Sequence, residues 1–511
     1  LADCLGIEPD NVRILSPYVG GGFGSKLGIA PEAVAASIAA KELDRPVAVT
    51  LTRQQVFETT MRRSETRQRV RLSVDKDGKL TGVGHEFLAS NLPDESFLEP
   101  VLQATHFIYG GANRRFAGKA ARLNRTCAGS VRAPGEAVGM QALEIAMDEL
   151  AVASGIDPVE LRLRNIPDEH PESDIPYSSR KFAEALKEGA ERFGWEKRNP
   201  EPGAVRDGQW LIGLGMASAA RVNMIMEAEA RVTLNADGTA LVQTDMTDIG
   251  TGTYAILTQI AAELLGLAPE QVEVRLGDTD DPPASGSGGS FGAASVGSAV
   301  YLACQKIRED IAKRLGGSGD DLDLSDGQAK LDGSETSLAA VLDGHEFSAI
   351  GHIQPGEAGE KVKQATFGSY FAEVAVNQYT GETRVRRMHG TFGAGRILNR
   401  KTATSQCLGA MIWGIGIALT EELVFDLRDG HIVNNDLAEY HLAVNLDAPQ
   451  IDVVLLDERD DWASPLQAKG IGELGICGAA AAVINAIYNA TGVRVRDLPA
   501  TLDKVIAELE I

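Results

Sequence analysis

The sequence predicts an α+β protein of more than one domain. Three observations carry that prediction. Two-period strand segments end in tight-turn residues, helical-period segments alternate with them, and 511 residues exceed what one ordinary core fills. The expected division is 1–200 and 201–511, with a soft boundary over 200–207. Within the second part the Gly-, Asp- and Ser-rich stretch 316–335 reads as a linker.

Residues 11–18 alternate like a short strand and run into Gly20-Gly21-Gly22-Phe23-Gly24-Ser25-Lys26, ahead of an Ala-rich helix over 31–43. A strand pair follows over 67–74 and 79–87, joined by Asp75-Lys76-Asp77-Gly78, where Asp-Gly supplies the positive φ of a tight hairpin. Similar units return at 230–234 with Asn235-Ala236-Asp237-Gly238, and at 371–376 with Gln378-Tyr379-Thr380-Gly381. Their irregular spacing predicts pseudo-repeated α+β units and not a solenoid. Period and caps predict further helices over 140–153, 181–193, 254–265, 295–315, 402–423 and 479–489.

Hydrophobic residues make up 44% of the chain, enough for sizeable cores. The formal net charge of -23 and the pI near 4.8 argue against nucleic acid and anionic membrane surfaces, which need concentrated Lys and Arg. Small molecules and proteins are the expected partners. No apolar run reaches the roughly 18 residues of a membrane span. The longest, 407–419, is broken by glycines and reads as a buried helix, so a soluble protein is expected. Cys4, Cys127, Cys304, Cys407 and Cys477 are scattered without a C-x-x-C pair, which favours buried free thiols over zinc, iron–sulfur or disulfide roles. The chain opens at Leu1 with neither Met, a basic stretch nor a cleavage site, so its natural start is expected to lie upstream.

The chemistry-bearing candidates sit among glycines. Lys469-Gly470-Ile471-Gly472-Glu473-Leu474-Gly475 holds one carboxylate where backbone can approach a bulky ligand, which is the placement a general base needs. The alternative is that Glu473 only favours the N-terminus of the following Ala-rich helix. The first glycine loop lacks both the G-x-G-x-x-G and the G-K-[ST] spacing, yet its backbone N–H groups can face an anion. Ser130-Val131-Arg132-Ala133-Pro134-Gly135-Glu136 sets an arginine and a proline turn before a helix. Its guanidinium suits phosphate or a fused ring, or else stands on the surface. Asp248-Ile249-Gly250-Thr251-Gly252-Thr253 leads into a helix whose N-terminus is a ready anion site. The fourth segment runs Gly277-Asp278-Thr279-Asp280 through Ser290-Phe291-Gly292-Ala293-Ala294-Ser295-Val296-Gly297. Each alone reads equally well as a flexible loop. Together they point to one long phosphate-bearing ligand clasped by backbone.

In order and spacing, GGGFGSK, RAPGEAVGMQALEIAMDELA, DIGTGT, GDTD with SGGSFGAASVGSAV, and KGIGELG resemble the molybdenum-cofactor subunit of the xanthine dehydrogenase/aldehyde oxidase family. The likeness spans nearly the whole chain and is nearest to bacterial, periplasmic-type aldehyde oxidoreductases. It implies the family's multidomain molybdopterin-binding fold, N-terminally incomplete. It further implies that Gly21, Gly22, Phe23 and Gly24, with Arg132 and Ala133, border molybdenum and pterin. Gly250, Thr251, Gly252, Ala294, Ser295, Val296 and Gly297 would hold the dinucleotide, and Lys469, Gly470 and Gly472 would frame the catalytic base Glu473. The metal would be held by the pterin dithiolene and by no side chain. The cofactor expected is molybdopterin cytosine dinucleotide, with iron–sulfur clusters and FAD on two partner subunits.

Departures narrow the substrate. Leu27 follows Lys26 where purine-oxidising relatives carry a glutamate, residues 99–107 contain no arginine, and Pro134 replaces the stacking aromatic. Aldehydes are therefore expected as substrates, oxidised to carboxylic acids with oxygen from water. Thr251 replaces a frequent Gln. Gly129 stands where the carbon monoxide dehydrogenase branch needs a cysteine, and Cys127 is out of register. Hydroxylation of aromatic N-heterocycles, isoquinoline or xanthine type, and a non-catalytic structural subunit of the same fold are the alternatives. The expected compartment is cytoplasm or periplasm, with export only on a partner's signal.

Overall fold

A computed structural model describes residues 1–509. In chain order its principal elements are α1 (Pro31–Leu43), β1 (Thr66–Val74), β2 (Leu80–Asn91), β3 (Asn113–Arg122), α2 (Glu136–Ser154), α3 (Phe182–Phe193), β4 (Trp210–Val222), β5 (Ala228–Leu234), β6 (Ala240–Thr244), α4 (Thr253–Leu265), β7 (Val272–Leu276), α5 (Gly292–Leu315), β8 (Phe347–Ile353), β9 (Ala365–Asn377), β10 (Thr383–Gly393), α6 (Arg400–Leu419), β11 (Gln450–Leu455) and α7 (Ala479–Thr491). They build a three-stranded sheet β1-β2-β3, a four-stranded sheet β8-β5-β6-β7 and a five-stranded sheet β11-β10-β9-β4 that ends in the short strand Arg206–Asp207. The fold is mixed α+β, as expected.

The central packing event is the docking of α7 on β4. Built at Gly213 or Gly215, a Cβ would stand 2.1 Å from Ala486 backbone atoms, so glycine on the strand and alanine on the helix let the two backbones almost touch. Side chains then replace a neighbouring strand along the open edge of β4. The Leu214 amide donates to Asn489 Oδ1 at 2.9 Å, Asn485 Nδ2 donates to the Met216 carbonyl at 3.0 Å, and the Ser218 amide donates to Glu144 Oε2 at 2.6 Å. Buried backbone groups without such partners would cost about 1–3 kcal/mol each. Glu144 is itself fully buried and neutralised by Arg162 at 2.8 Å. The result is a rigid floor at the end of which the candidate residues converge.

Several expectations need correction. Residues 11–18 form no strand. They lie along 277–279, just past the end of the edge strand β7, through one bridge, Leu15 to Asp278, and the Arg13–Asp278 pair. Residues 316–335 are not a linker. Asp323–Ser325, Gln328–Leu331 and Ser334–Ser337 pair antiparallel, and Leu322, Leu324, Ala329 and Leu331 join the core of the four-stranded sheet. Side chains from both sides of residue 200 meet in one core, where Phe107, Met140 and Phe182 pack with Met216, Phe367 and Phe371. Two helical stretches, Arg400–Leu419 and Leu474–Thr491, are apolar and long enough to cross a bilayer by composition alone. The second is 89% buried against β4 and α6, which accounts for its composition.

Candidate functional site

Glu473 lies between Gly472 and the single turn Leu474–Ile476, ahead of α7, whose N-cap is Gly478. Its side chain makes no cap bond. Instead the carboxylate turns toward a cavity of about 680 Å³, at whose wall it is 9% exposed. Oε1 accepts the Ala133 amide at 2.9 Å. Oε2 accepts Arg221 Nε at 3.0 Å and Ser290 Oγ at 3.2 Å, and faces Arg221 Nη2 at 2.8 Å. An ionised carboxylate can accept about four hydrogen bonds, and Oε1 keeps a free lone pair.

Backbone strain is concentrated around this carboxylate. Phe23, Ala133 and Ser290 all have φ between +51° and +59°, and Gln467 has φ of +58° just before the Glu473 loop. The other five non-glycine residues with positive φ are aspartates, which adopt that region readily. Holding Ala133 there costs on the order of 1–3 kcal/mol, which the surrounding bonds must supply. Carboxylates fix its turn at both ends: Glu473 takes the Ala133 amide, and Glu99 takes the Gly135 amide at 2.6 Å.

Arg132 does not reach for a phosphate with its whole fork. Its Nε donates to the Gly472 carbonyl at 2.9 Å and its Nη2 to the Gln406 carbonyl at 2.9 Å, so it clamps the Glu473 loop to α6. Burial lowers the pKa of this guanidinium, and the nearby Cys407 and Glu473 oppose that shift. Lys469 turns away as well. Its ammonium is fully buried on Glu458 at 2.9 Å, with Asp460 at 3.4 Å, and only its backbone borders the cavity with Gly470 and Gly472.

The glycine segments divide between wall and support. Gly21, Gly22, Phe23, Gly24, Gly250 and Thr251 line the cavity; Gly252 adjoins it as the N-cap of α4. The expected anion site at α4 is filled by the chain itself: Asp248 accepts the amides of Gly250, Thr251 and Gly252 at 2.8, 3.0 and 3.3 Å. Ala294, Ser295, Val296 and Gly297 do not face the cavity. Helix α5 begins at Gly292, so these four fall in its first turns and are buried, with Ser295 Oγ accepting the Met226 amide at 3.0 Å. Residues 288–293 take their place on the wall.

Sequence reasoning missed Arg221, Gln406 and the apolar stretch Ile397 and Leu398, all on the cavity wall, and named Ser290 only as part of a loop. Arg221 carried one signal. Residues on β4 alternate faces, so Gly213, Gly215, Ala217, Ala219 and Arg221 share the face on which α7 lies. The small residues sit beneath the helix, and Arg221 projects just beyond its start. There its side chain, 3% exposed, meets both Glu473 and Glu136. Burial disfavours its charge, but the two carboxylates outweigh this and raise its pKa.

The cavity has room for an elongated organic group. Among the described residues no three His, Cys, Asp or Glu side chains are grouped to hold a metal ion. Glycines recur along the wall, and a Cβ added at Gly20 or Gly250 would meet nothing within 4 Å, which leaves open cradles beside the apolar Phe23, Met246, Ile249 and Phe291. A second, larger cavity of about 1280 Å³, between β1, α2 and the start of the region after α6, contains none of the sequence-predicted site residues.

Comparison with known proteins identifies the family. Family models described as molybdopterin cofactor-binding domains match residues 1–166 and 188–449. The chain is 46% identical over 510 residues to the aldehyde oxidoreductase molybdenum-binding subunit PaoC of Escherichia coli (strain K12), covering 100% of this chain and 70% of that protein. It is 31% identical to the putative xanthine dehydrogenase molybdenum-binding subunit XdhA of the same organism, covering 98% and 70%. Among solved structures, the aldehyde oxidoreductase from Desulfovibrio gigas superposes with a TM-score of 0.84 at 27% identity, covering 100% of this chain and 56% of that one.

Proposed function

The chain belongs to the molybdenum-cofactor-binding subunits of the xanthine dehydrogenase/aldehyde oxidase family, and on that premise we propose that it oxidises aldehydes to carboxylic acids with Glu473 as its general base. The observation that carries this reading is the direction of Glu473. Its carboxylate is held from three separate elements at the cavity wall and does not cap a helix.

When bound, the molybdenum cofactor supplies the two-electron redox chemistry. The chain supplies placement and a proton acceptor. Gly20 and Gly250 leave backbone open to a cofactor, while Gly24 and Gly470 let the loops that frame it pack directly on the Ser130 and Ser290 carbonyls. Arg132 fixes the loop that carries the base. Water provides the oxygen, and Glu473 accepts its proton at Oε1, the oxygen with an open lone pair, while Arg221 and Ser290 hold Oε2 in place. A fixed base avoids reorganising at the moment of transfer.

The substrate assignment rests on the wall. Leu27, Pro134, Met224, Ile397 and Leu398 offer no polar edge that a purine could pair with, whereas an aldehyde needs few such contacts. We further assign the cytosine dinucleotide form of the cofactor, and iron–sulfur and FAD partner subunits as the electron exit.

The test is competition at equal concentration on the purified complex among an aromatic aldehyde, xanthine and isoquinoline. Aldehyde should lead in kcat/KM by well over tenfold. Comparable turnover of xanthine would defeat the argument from Leu27 and Pro134, and preferred turnover of isoquinoline would favour the heterocycle reading.

A further inference from the structure

Arg221 serves two carboxylates, and only one of them borders the cavity. Its Nη1 donates to both oxygens of Glu136 at 2.9 and 3.0 Å, while Nε and Nη2 face Glu473. Glu136 is fully buried. As the first residue of α2 it could be an ordinary helix-start acid, and its Oε1 also takes the Val222 amide at 3.3 Å at the end of the β4 edge. Neither duty needs the bidentate grip on an arginine shared with Glu473.

We propose that Glu136 is a positioning residue for the reaction: it holds one half of the Arg221 guanidinium, so that Glu473 can take up and release a proton without leaving a buried cation unpaired. The proposal rests on the reading of Glu473 as the base. Once Glu473 is neutral, Arg221 and Glu136 remain a matched pair. Without Glu136, a neutral Glu473 would strand an arginine whose side chain is 3% exposed, and a buried unpaired charge is strongly unfavourable. Arg221 would then hold Glu473 in its charged form and make it a weaker base. Burial pushes the Glu136 carboxyl up, and Arg221 opposes that shift.

The other charged or titratable groups facing this cluster are Arg63, Arg132, Lys363 and Cys477. Burial lowers both arginines and Lys363 and raises the Cys477 thiol, and none of these four bonds the Glu473 or Glu136 carboxylate. Arg221 is therefore the direct link between the two acids.

The experiment compares Glu136→Gln and Glu136→Asp with the parent in the intact complex. Three readouts are needed: molybdenum content, the pH profile of kcat/KM, and an infrared titration of the protonated-carboxyl band identified by its loss in Glu473→Gln. Glu136→Gln should keep its molybdenum but move the acidic limb and the band to lower pH by about one unit, a tenfold loss of proton affinity. Glu136→Asp keeps the charge at shorter reach and should move both in the same direction by less; it decides the matter if Glu136→Gln is not recovered folded. An unmoved limb and band in the folded variant, whatever its melting temperature, would overturn the proposal and mark Glu136 as a seal for the β4 edge. Failure of the underlying reading looks different, because Glu473→Gln would then turn over at the parent rate.

Discussion

Glu473 is held by more hydrogen bonds than a surface acid would need, and their distribution tells its two oxygens apart. Oε2 is saturated by Arg221 and Ser290; Oε1 has only the Ala133 amide. In Glu473→Gln the amide oxygen can face Arg221 or Ala133 but not both, so one donor meets an NH₂ group and about 1 kcal/mol of stability is lost. Activity should suffer far more. Removing a general base costs about 10²–10⁴-fold in kcat, while molybdenum and pterin content should stay near the parent level because backbone lines the cradle. Parallel metal analysis and steady-state kinetics check this, and near-parent turnover with full molybdenum would sink the mechanism. The acid in its glycine run was legible from sequence because glycines on both sides of a lone carboxylate are unusual. Its partner was not: Arg221 lies 252 positions away, and only the pairing of β4 with β9 and the docking of α7 bring it to the site.

At the scale of elements, helix interiors were legible, and the starts of α1, α3, α4, α6 and α7 fell within two residues of expectation, whereas those of α2 and α5 did not. Helix α2 begins at Glu136 and α5 at Gly292, ahead of the expected 140 and 295, because their N-caps are Gly135 and Phe291, which carry no Ser, Thr or Asp signal. Those few residues decide which side chains reach the cavity: residues 287–293 line it, while Ala294 through Gly297, which the family resemblance assigned to the dinucleotide, lie in the first turns of α5. The polar composition of 316–335 likewise hid the alternation of Leu322, Leu324, Ala329 and Leu331. The loop before α4 offers an element-scale test. Gly250 has φ of +91° and open space around it, whereas Asp248 already binds the loop's amides. Gly250→Ala should cost the cofactor-free protein about 1 kcal/mol, from the strained φ alone. If the cofactor fills that space, the added Cβ should lower molybdenum retention several-fold. Equal retention in parent and variant after gel filtration would remove this loop from the cofactor site.

At the scale of the whole molecule, the three cores meet around one cavity, and the thiols belong to the cores. Cys304, Cys407 and Cys477 are buried, and burial pushes Cys304 and Cys407 up to about 12, which keeps them as neutral thiols far from the thiolate form that binds metal. Cys477 lies nearest the chemistry, where its Sγ donates to the Glu473 carbonyl at 3.3 Å, and burial among Glu136 and Glu473 raises it further. Cys4 is exposed and Cys127 half-buried, and neither borders the cavity. If the metal arrives on an organic ligand, the five thiols are dispensable for it. Replacing all five with alanine should therefore leave about one molybdenum per subunit, while the three buried changes should each cost about 1 kcal/mol and lower the melting temperature. Metal analysis of the folded variant against the parent decides between the two roles, since loss of molybdenum on changing any single cysteine would make that thiol a ligand. Cys477→Ala is the most demanding case, because it empties space directly behind the base. There a fall in kcat with unchanged molybdenum would report a shifted Glu473 carbonyl and a packing role, and would leave the metal on its own ligand.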